Sequence, residues 1–147
     1  MVQQRVKNFN LGLLKKTKVT ASSGLILIMS FAKEIGLIDE LEKKFSHLKE
    51  RKRGYCVSEK ILSFLQMLIK GGGRLNDIDI LSSDPGLLDI LGIDRFPSAN
   101  TIGDLAKRFT LRDINEMADV VMKLASNTIS QKRLEDIVID IDSLLSG

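Results

Sequence analysis

Two acidic side chains close to the end of the chain, Asp140 and Asp142, are the residues best placed to do chemistry. Residues 137–142 alternate strictly between isoleucine on one face and valine or aspartate on the other, which predicts a β-strand. Both carboxylates therefore stand on one face of that strand, about 6–7 Å apart along it. Taken alone, the pattern fits a pair of solvated carboxylates at a strand end more readily than a catalytic pair.

Basic side chains are the second chemical feature. Residues 1–53 hold twelve Lys or Arg against five Asp or Glu, whereas residues 54–147 hold ten against fourteen. The basic residues form two clusters: Arg5, Lys7, Lys15, Lys16 and Lys18 in an N-terminal arm, and Lys43, Lys44, Lys49, Arg51, Lys52 and Arg53 around His47. Such surface attracts phosphate through counterion release. From charge alone, a solvated tail and helix end and a nucleic-acid contact are both open interpretations.

The remaining composition excludes several classes of site and protein. Cys56 is the only cysteine and His47 the only histidine, so no internal disulfide, cysteine-built zinc site or His-pair metal motif can form. No apolar run approaches the roughly 18 residues that span a bilayer. The N-terminus is basic and lacks an apolar signal core, so we expect cytoplasmic residence.

Helices must position these groups, because apolar residues recur at helical spacing through most of the chain. The pattern predicts a helix after Ser22 or Ser23, a short one from Asp39, a third capped by Ser58, and short ones over residues 75–81 and 84–91. Two further helices are predicted over residues 98–109 and from residue 111 to about residue 129.

Three local features refine this interpretation. Gly71, Gly72 and Gly73 follow a helix and lack the Lys-Ser/Thr of a phosphate loop, so they predict a helix end. The last helix is expected to bury Ile114, Met117, Ala118, Val121 and Leu124. Met29, Met67, Met117 and Met122 are expected to fill the core.

In order and spacing, several segments of this chain are similar to one known family. These segments are Thr20-Ala21-Ser22-Ser23-Gly24-Leu25, Ile35-Gly36-Leu37, Lys60-Ile61-Leu62, Gly71-Gly72, Leu75-Asn76-Asp77-Ile78, Leu81-Ser82-Ser83-Asp84-Pro85, Leu91-Gly92, Phe96-Pro97-Ser98-Ala99-Asn100-Thr101-Ile102 and Val138-Ile139-Asp140-Ile141-Asp142-Ser143. Over roughly residues 18–143 the chain thus resembles the N-terminal part of DDE transposases from bacterial insertion sequences. The fold class that this resemblance implies is mainly α, a helical N-terminal region that ends in the first β-strand of a truncated RNase H-like core.

The resemblance also implies a chemistry for the terminal aspartates. The first catalytic Asp of such enzymes lies on that first strand, commonly before Ser or Thr, which favours Asp142 over Asp140 without excluding the latter. Carboxylates in such enzymes hold Mg²⁺ ions that activate a water or a 3′-hydroxyl and stabilise the displaced phosphate. With one catalytic Asp of three, Mg²⁺ is not expected to bind firmly here.

The organisation that follows is an arm over residues 1–21, a helical DNA-binding region over residues 22–130, and a strand of a truncated catalytic domain over residues 134–147. Because the second Asp and the Glu of the family pattern are missing, we expect a truncated transposase that is inactive alone. The alternatives are a stand-alone helical DNA-binding regulator of transposition and a decayed reading frame without function. Expected partners are double-stranded DNA at the element ends, a full-length transposase, or a second copy of the chain.

Two predicted helices, over residues 84–91 and 98–109, could form a helix-turn-helix, although the linking residues 92–97 are long for one. The contacts that this would imply are Asn100, Thr101, Lys107 and Arg108. Phosphates would be held by the basic arm with Lys15, Lys16 and Lys18, and by residues 49–53 with Lys49, Arg51, Lys52 and Arg53. Gly103 and Asp104 stand where the family usually carries an Arg, and Asp104 would repel phosphate. The alternative, that these helices only support a catalytic core, is equally open.

Overall fold

A computed structural model describes residues 20–49 and 53–132 of the chain. Within these two ranges the backbone forms helices and turns and no β-strand, in agreement with a mainly α fold. The helices are α1 (Ser23–Glu34), α2 (Leu37–Phe45), α3 (Val57–Ile69), α4 (Ile78–Ser82), α5 (Pro85–Leu91), α6 (Ala99–Ala106) and α7 (Leu111–Lys132), with 3₁₀ turns at Ser46–Leu48 and Leu75–Asp77. None of these helices is long and apolar enough to cross a membrane.

The central helix α3 begins and ends at local signals in the sequence. Its N-cap is Cys56, whose backbone N–H donates to the Glu59 carboxylate at 2.5 Å, so the prediction that Ser58 caps this helix is wrong by two residues. The helix ends where Gly71 adopts a left-handed backbone conformation with φ of 88°. Gly71 N–H then bonds to the Leu68 carbonyl and Gly72 N–H to the Met67 carbonyl, the two bonds of a Schellman motif. The glycines are therefore a helix end, as predicted.

Side-chain caps also start α5 and α6. Asp84 accepts the Leu87 N–H at 2.9 Å, and Ser98 accepts the Thr101 N–H at 3.4 Å. Ser22 precedes α1 but does not cap it, because its hydroxyl donates to Asp84 at 2.9 Å instead. That bond ties the start of α1 to the start of α5.

Two hydrophobic clusters hold the helices together. The first joins α2, α3, α6 and α7 through Leu41, Phe45, Leu48, Val57, Leu62, Leu105, Val120 and Leu124. The second joins α1, α3, α4, α5 and α6 through Leu25, Met67, Ile78, Leu81, Leu87, Phe96 and Ile102. Helices α3 and α6 contribute to both clusters and pack on each other. Helices α3 and α6 therefore connect the two clusters, and we call this pair the α3–α6 frame.

Helix α7 buries part of the face that its sequence predicts. Leu124 is buried and Met117 packs against the first cluster, as predicted. Ile114 is 55% exposed and Val121 57% exposed, contrary to the prediction, and Val120 is buried instead. Among the methionines expected in the core, Met67 is buried, whereas Met122 is 66% exposed.

Several predictions fall on residues that the structure does not describe. They are the strand over residues 137–142 with Asp140 and Asp142, the basic arm with Lys15, Lys16 and Lys18, and the pair Arg51 and Lys52. These remain predictions from the sequence.

Candidate nucleic-acid interface

Basic side chains gather in a cleft of about 240 Å³ between the segment that precedes α3 and one side of α6. We call it the Lys60 cleft. Its lining residues are Lys49, Arg53, Gly54, Tyr55, Lys60, Thr101, Asp104 and Arg108. Four of them are Lys or Arg and one is an acid, so the cleft has a surplus of positive charge.

The cleft is shaped by contacts that its own residues make. Tyr55 donates its hydroxyl to the Arg95 carbonyl at 3.2 Å, which fixes the chain just before α3. The Lys49 ammonium group lies 3.8 Å from the Cys56 thiol at the N-terminus of α3. Thr101 belongs to the first turn of α6, where its hydroxyl lies 3.0 Å from that of Ser98. The residues of one wall therefore contact the start of α3, and those of the other wall lie on α6.

Lys60 differs from the other cations of the cleft in its burial. Its residue surface is only 9% exposed, since it lies on α3 between the buried Val57 and the core. Lys60 also borders an apolar groove formed with Phe64, Ile102 and Leu105. Its ammonium nitrogen is not among the buried polar atoms that lack a hydrogen-bond partner in the described part of the chain, so the burial of Lys60 concerns its aliphatic stem.

Arg108 has a structural role besides its position in the cleft. Its Nη1 donates to the Leu48 carbonyl at 2.7 Å and its Nε to the Asp104 carbonyl at 3.0 Å. The next residue, Phe109, stacks on the buried Phe45 with ring centroids 5.6 Å apart. Arg108 therefore fastens the end of α6 to the turn after α2, and its guanidinium group is held in place by the protein.

A second cleft, of about 390 Å³, lies on the other side of Arg108. We call it the His47 cleft. Its lining residues are Lys44, His47, Leu48, Arg108, Thr110, Arg112, Asp113 and Glu116. Because Arg108 lines both clefts, the basic side chains of the two form one continuous surface.

Two acidic residues line the His47 cleft, Asp113 and Glu116, and both interact with the protein: the Glu116 carboxylate lies 3.2 Å from Arg112 Nε, and Asp113 is buried. Its carboxylate accepts the Thr110 hydroxyl at 2.6 Å and the Thr110 N–H at 2.8 Å, and its other oxygen lies 2.9 Å from His47 Nε2. The Thr110 hydroxyl first, then the Thr110 N–H and His47, hold the pKa of Asp113 below its ordinary value. Asp113 therefore starts α7 and orients His47, whose side chain is 57% exposed.

The structure brings together some of the residues predicted to contact DNA and leaves others apart. Arg53, Thr101 and Arg108 meet in the Lys60 cleft. Asn100 is exposed at the start of α6 and lines neither cleft. Lys107 is also exposed, and its ammonium group lies 3.4 Å from the Asp104 carboxylate, which offsets part of the repulsion that Asp104 would exert on phosphate.

Sequence reasoning named Lys44 and Lys49 in the basic cluster around His47 but missed Lys60 in one cleft and Arg112 in the other. Lys60 carried a signal, because apolar residues precede it by three positions and follow it by one and four. A lysine on the buried face of an amphipathic helix is unusual and calls for a reason. Arg112 had no local signal, since it is an exposed charge in the first turn of α7.

The packing of α6 bears on the helix-turn-helix interpretation. Helix α6 packs mainly on α3 and on the 3₁₀ turn Leu75–Asp77, whereas α5 packs mainly on α1 and α4. The two helices proposed for the motif thus have different principal partners. The side of α6 that lines the Lys60 cleft carries Thr101 and Asp104.

Metal-binding residues do not cluster in the part of the chain that the structure describes: it holds no group of three or more His, Cys, Asp or Glu suited to a metal ion. The aspartates predicted to bind metal, Asp140 and Asp142, lie outside that part.

Comparison with known proteins gives one match, and it covers nearly the whole chain. A family model described as transposase DDE domain group 1 matches residues 14–146. Searches of the curated proteins and of the solved structures gave no match.

Proposed function

The chain belongs to the transposase DDE domain group 1 family, and on that premise we propose that its helical region binds double-stranded DNA at the ends of a mobile element. Membership confirms the resemblance inferred from the sequence. It also implies that full-length members use divalent metal ions.

One observation carries the proposal: residues far apart in the chain meet in a single basic cleft. Lys49 and Arg53 come from the segment before α3, and Arg108 comes from the end of α6. A solvated helix face would not require this convergence, because scattered lysines keep a protein soluble equally well. Convergent cations match the line of negative charges along a DNA strand.

The two clefts suit phosphate contacts better than base readout. Six of their charged side chains are lysine or arginine and three are acidic, and lysine and arginine fix the position of a protein on a duplex without reading its sequence. Arg108 is pre-oriented by its bond to the Leu48 carbonyl, so it loses little side-chain freedom on binding. Readout of bases is then assigned to other residues, for which exposed Asn100 on α6 stays the candidate.

For the chemistry of the family, we keep Asp142 as the predicted first metal ligand, with Asp140 as the alternative. Aspartate oxygens suit a hard ion such as Mg²⁺, whose role would be to activate the attacking oxygen and to stabilise charge on the phosphate. Both residues follow the helical region in the sequence. Binding by the clefts and phosphoryl transfer are thus assigned to different parts of the chain.

The experiment is a binding titration with the full 147-residue chain. Fluorescence anisotropy would be followed for a labelled duplex that carries the inverted repeat flanking the gene, and for a scrambled duplex of the same composition. Binding at about 50 mM salt that weakens steeply at higher salt is expected for both duplexes, and it should be tighter for the repeat. Absence of binding to either duplex at about 50 mM salt would refute the proposal.

A second role, regulation of transposition, is favoured by the placement of the binding surface. Both clefts and both hydrophobic clusters are built from residues 25–124, all of which precede the predicted catalytic aspartates. The chain should then compete with a complete family member for the same element ends. A gel-shift competition would test this, and undiminished binding of the complete protein in the presence of excess chain would count against it.

A further inference from the structure

We propose that residues 137–145 pack on an exposed apolar face of α7, which makes this helix the platform for the strand predicted to carry Asp140 and Asp142. The segment lies outside the described residues, and α7 is the last described helix before it. The inference concerns a contact within one chain and does not depend on the proposed DNA binding.

Helix α7 carries two apolar faces. The first packs on the first hydrophobic cluster through Val120 and Leu124. The second lies about a third of a turn further around the helix, at 3.6 residues per turn. Its members recur at helical spacing and include no charged or polar side chain; we call them the α7 stripe, and they are Leu111, Ile114, Ala118, Val121, Met122 and Ala125.

The α7 stripe is open in the described part of the chain. Leu111 is 80% exposed, Met122 66%, Val121 57% and Ile114 55%. Single exposed apolar side chains are ordinary on protein surfaces, but these form one contiguous patch about 21 Å long, by a rise of 1.5 Å per residue. A patch of this kind indicates an element that covers it.

The segment that follows α7 has a matching apolar face. Ile137, Ile139 and Ile141 alternate with other residues, so a strand would place all three on one side. Residues 133–136 separate this strand from the end of α7 at residue 132. Four residues are enough for the chain to turn back, because connections between a helix and a strand usually have about 2–6 residues. A strand that turns back in this way runs antiparallel to α7 and alongside it.

The lengths of the two elements define a register. A strand rises about 3.3 Å per residue and a helix about 1.5 Å, so each strand residue passes about two residues of α7. Ile139 then lies beside Ala125, and Ile141 lies beside Val121. Two residues of the stripe are alanines, and their small side chains leave room for the isoleucines.

The same register gives a place to the residues after the strand. Leu144 would reach the level of Ile114, about 15 residues of α7 before the start of the strand. Ile114 also lines the apolar groove of about 320 Å³ to which Phe64 and Ala106 contribute. Leucine side chains suit a groove with this lining, so the α7 stripe and the groove form one surface for residues 137–145.

Covalent attachment favours this occupant over a second copy of the chain. A short tether gives an effective concentration on the order of millimolar, which a separate chain reaches only in a concentrated solution. The backbone N–H and C=O groups at the edges of the strand would stay in water, which satisfies their hydrogen bonds.

The packing has a consequence for the predicted metal ligands. When the isoleucine face lies on α7, Asp140 and Asp142 on the opposite face are turned outward to water. Asp142 would lie at the level of Asp119, within about 10 Å along the helix axis of Arg112 and Glu116, which line the His47 cleft. Helix α7 would thus position the predicted metal ligand near a cleft proposed to bind phosphates.

The first test measures proximity by cross-linking in the full chain. Cys56→Ser removes the only native thiol and keeps a residue that caps helices well. In this background, Ala125→Cys with Ile139→Cys is compared with a control pair, Asn127→Cys with Ile139→Cys. Asn127 is exposed and lies about 160° around α7 from Ala125. A short bifunctional maleimide should give at least about tenfold more intramolecular product with the Ala125 pair than with the Asn127 pair.

The second test compares two neighbouring positions on opposite faces of the strand. Ile139→Asp and Val138→Asp add the same charge, but only Ile139 belongs to the face proposed to pack on α7. Ile139→Asp should lower the unfolding temperature by about 4–8 °C, and Val138→Asp by less than about 2 °C.

The outcomes separate this inference from its alternatives. Equal intramolecular product from the two cysteine pairs, or equal shifts of the unfolding temperature, would overturn it. Cross-linked dimers whose yield rises with protein concentration would also overturn it and would assign the α7 stripe to a second copy of the chain. DNA binding is measured in a separate titration, so either proposal can fail while the other stands.

Discussion

Removal of two cations from the Lys60 cleft should change the salt dependence of DNA binding by a calculable amount. The variant is the double substitution Lys49→Gln and Arg53→Gln, which leaves Lys60 and Arg108 in place. Each phosphate neutralised contributes about −0.9 to the slope of log K against log salt concentration. Four cations thus give a slope of about −3.6, and two give about −1.8.

These slopes translate into large differences in affinity. Between about 50 and 200 mM salt, a slope of −3.6 lowers the association constant about 150-fold, whereas a slope of −1.8 lowers it about 12-fold. The two curves should therefore approach each other as salt rises. The comparison tests the number of contacts and does not depend on the absolute affinity.

The assay is fluorescence anisotropy with a labelled duplex at several salt concentrations between these limits. The control is Lys33→Gln with Lys70→Gln, which removes the same net charge from exposed positions that line neither cleft. The control should keep the wild-type slope within error, since distant exposed charges are screened beyond about 10 Å at 0.1 M salt. Equal slopes for the wild type, the double variant and the control would refute the assignment of the interface to this cleft.

Three further predictions concern the stability of the helical region. Asp84→Ala should lower the free energy of unfolding by about 1–2 kcal/mol, because it removes the cap on Leu87 N–H, while Asp84→Asn should keep most of that cap; chemical denaturation measures both. Gly103→Ala should raise it by up to about 1 kcal/mol, because an added Cβ would meet only a Leu75 methyl at 3.4 Å, and a loss of stability in the same assay would contradict this. The pKa of Asp113 is lowered in the folded chain, first by the Thr110 hydroxyl, so the unfolded chain binds the proton more readily. The stabilisation that Asp113 provides is therefore present above pH 3.8, the ordinary pKa of the group, and is lost as pH falls below that value through the lower pKa of the folded chain. Thr110→Val should make the free energy of unfolding depend less steeply on pH in this acidic range. An unchanged pH profile would argue against the bond between Thr110 and Asp113.

Helix positions were predicted well because their signals are local. Asp84 and Ser98 accept hydrogen bonds from N–H groups three residues later, and Gly71 ends α3 through bonds to carbonyls of the preceding turn. Hydrogen-bond partners this close in sequence can be predicted without knowledge of the tertiary structure. The error at Ser58 has the same origin, since Cys56, which is not a typical cap residue, precedes the helix and Glu59 supplies the bond.

The face that a helix buries was less predictable. In helix α7 the prediction holds for Leu124, which is buried, and fails for Ile114 and Val121, which are exposed. Val120, next to Val121 in the sequence, is buried in its place. The hydrophobicity of these two valines does not distinguish them, because only the packing of α7 on the first cluster decides which one faces the core.

The sequence by itself determined the family, the mainly helical character, the ends of most helices and the basic nature of the first third of the chain. Each of these depends on residues within a turn or two of one another, or on a pattern along the whole chain. Only the tertiary structure decided which cations act together. Lys49, Lys60 and Arg108 meet because α3 packs on α6, and that packing depends on two hydrophobic clusters whose members are distant in sequence. The low exposure of Lys60 as a residue is likewise a property of the assembled helices, since a single helix in water would leave its aliphatic stem exposed.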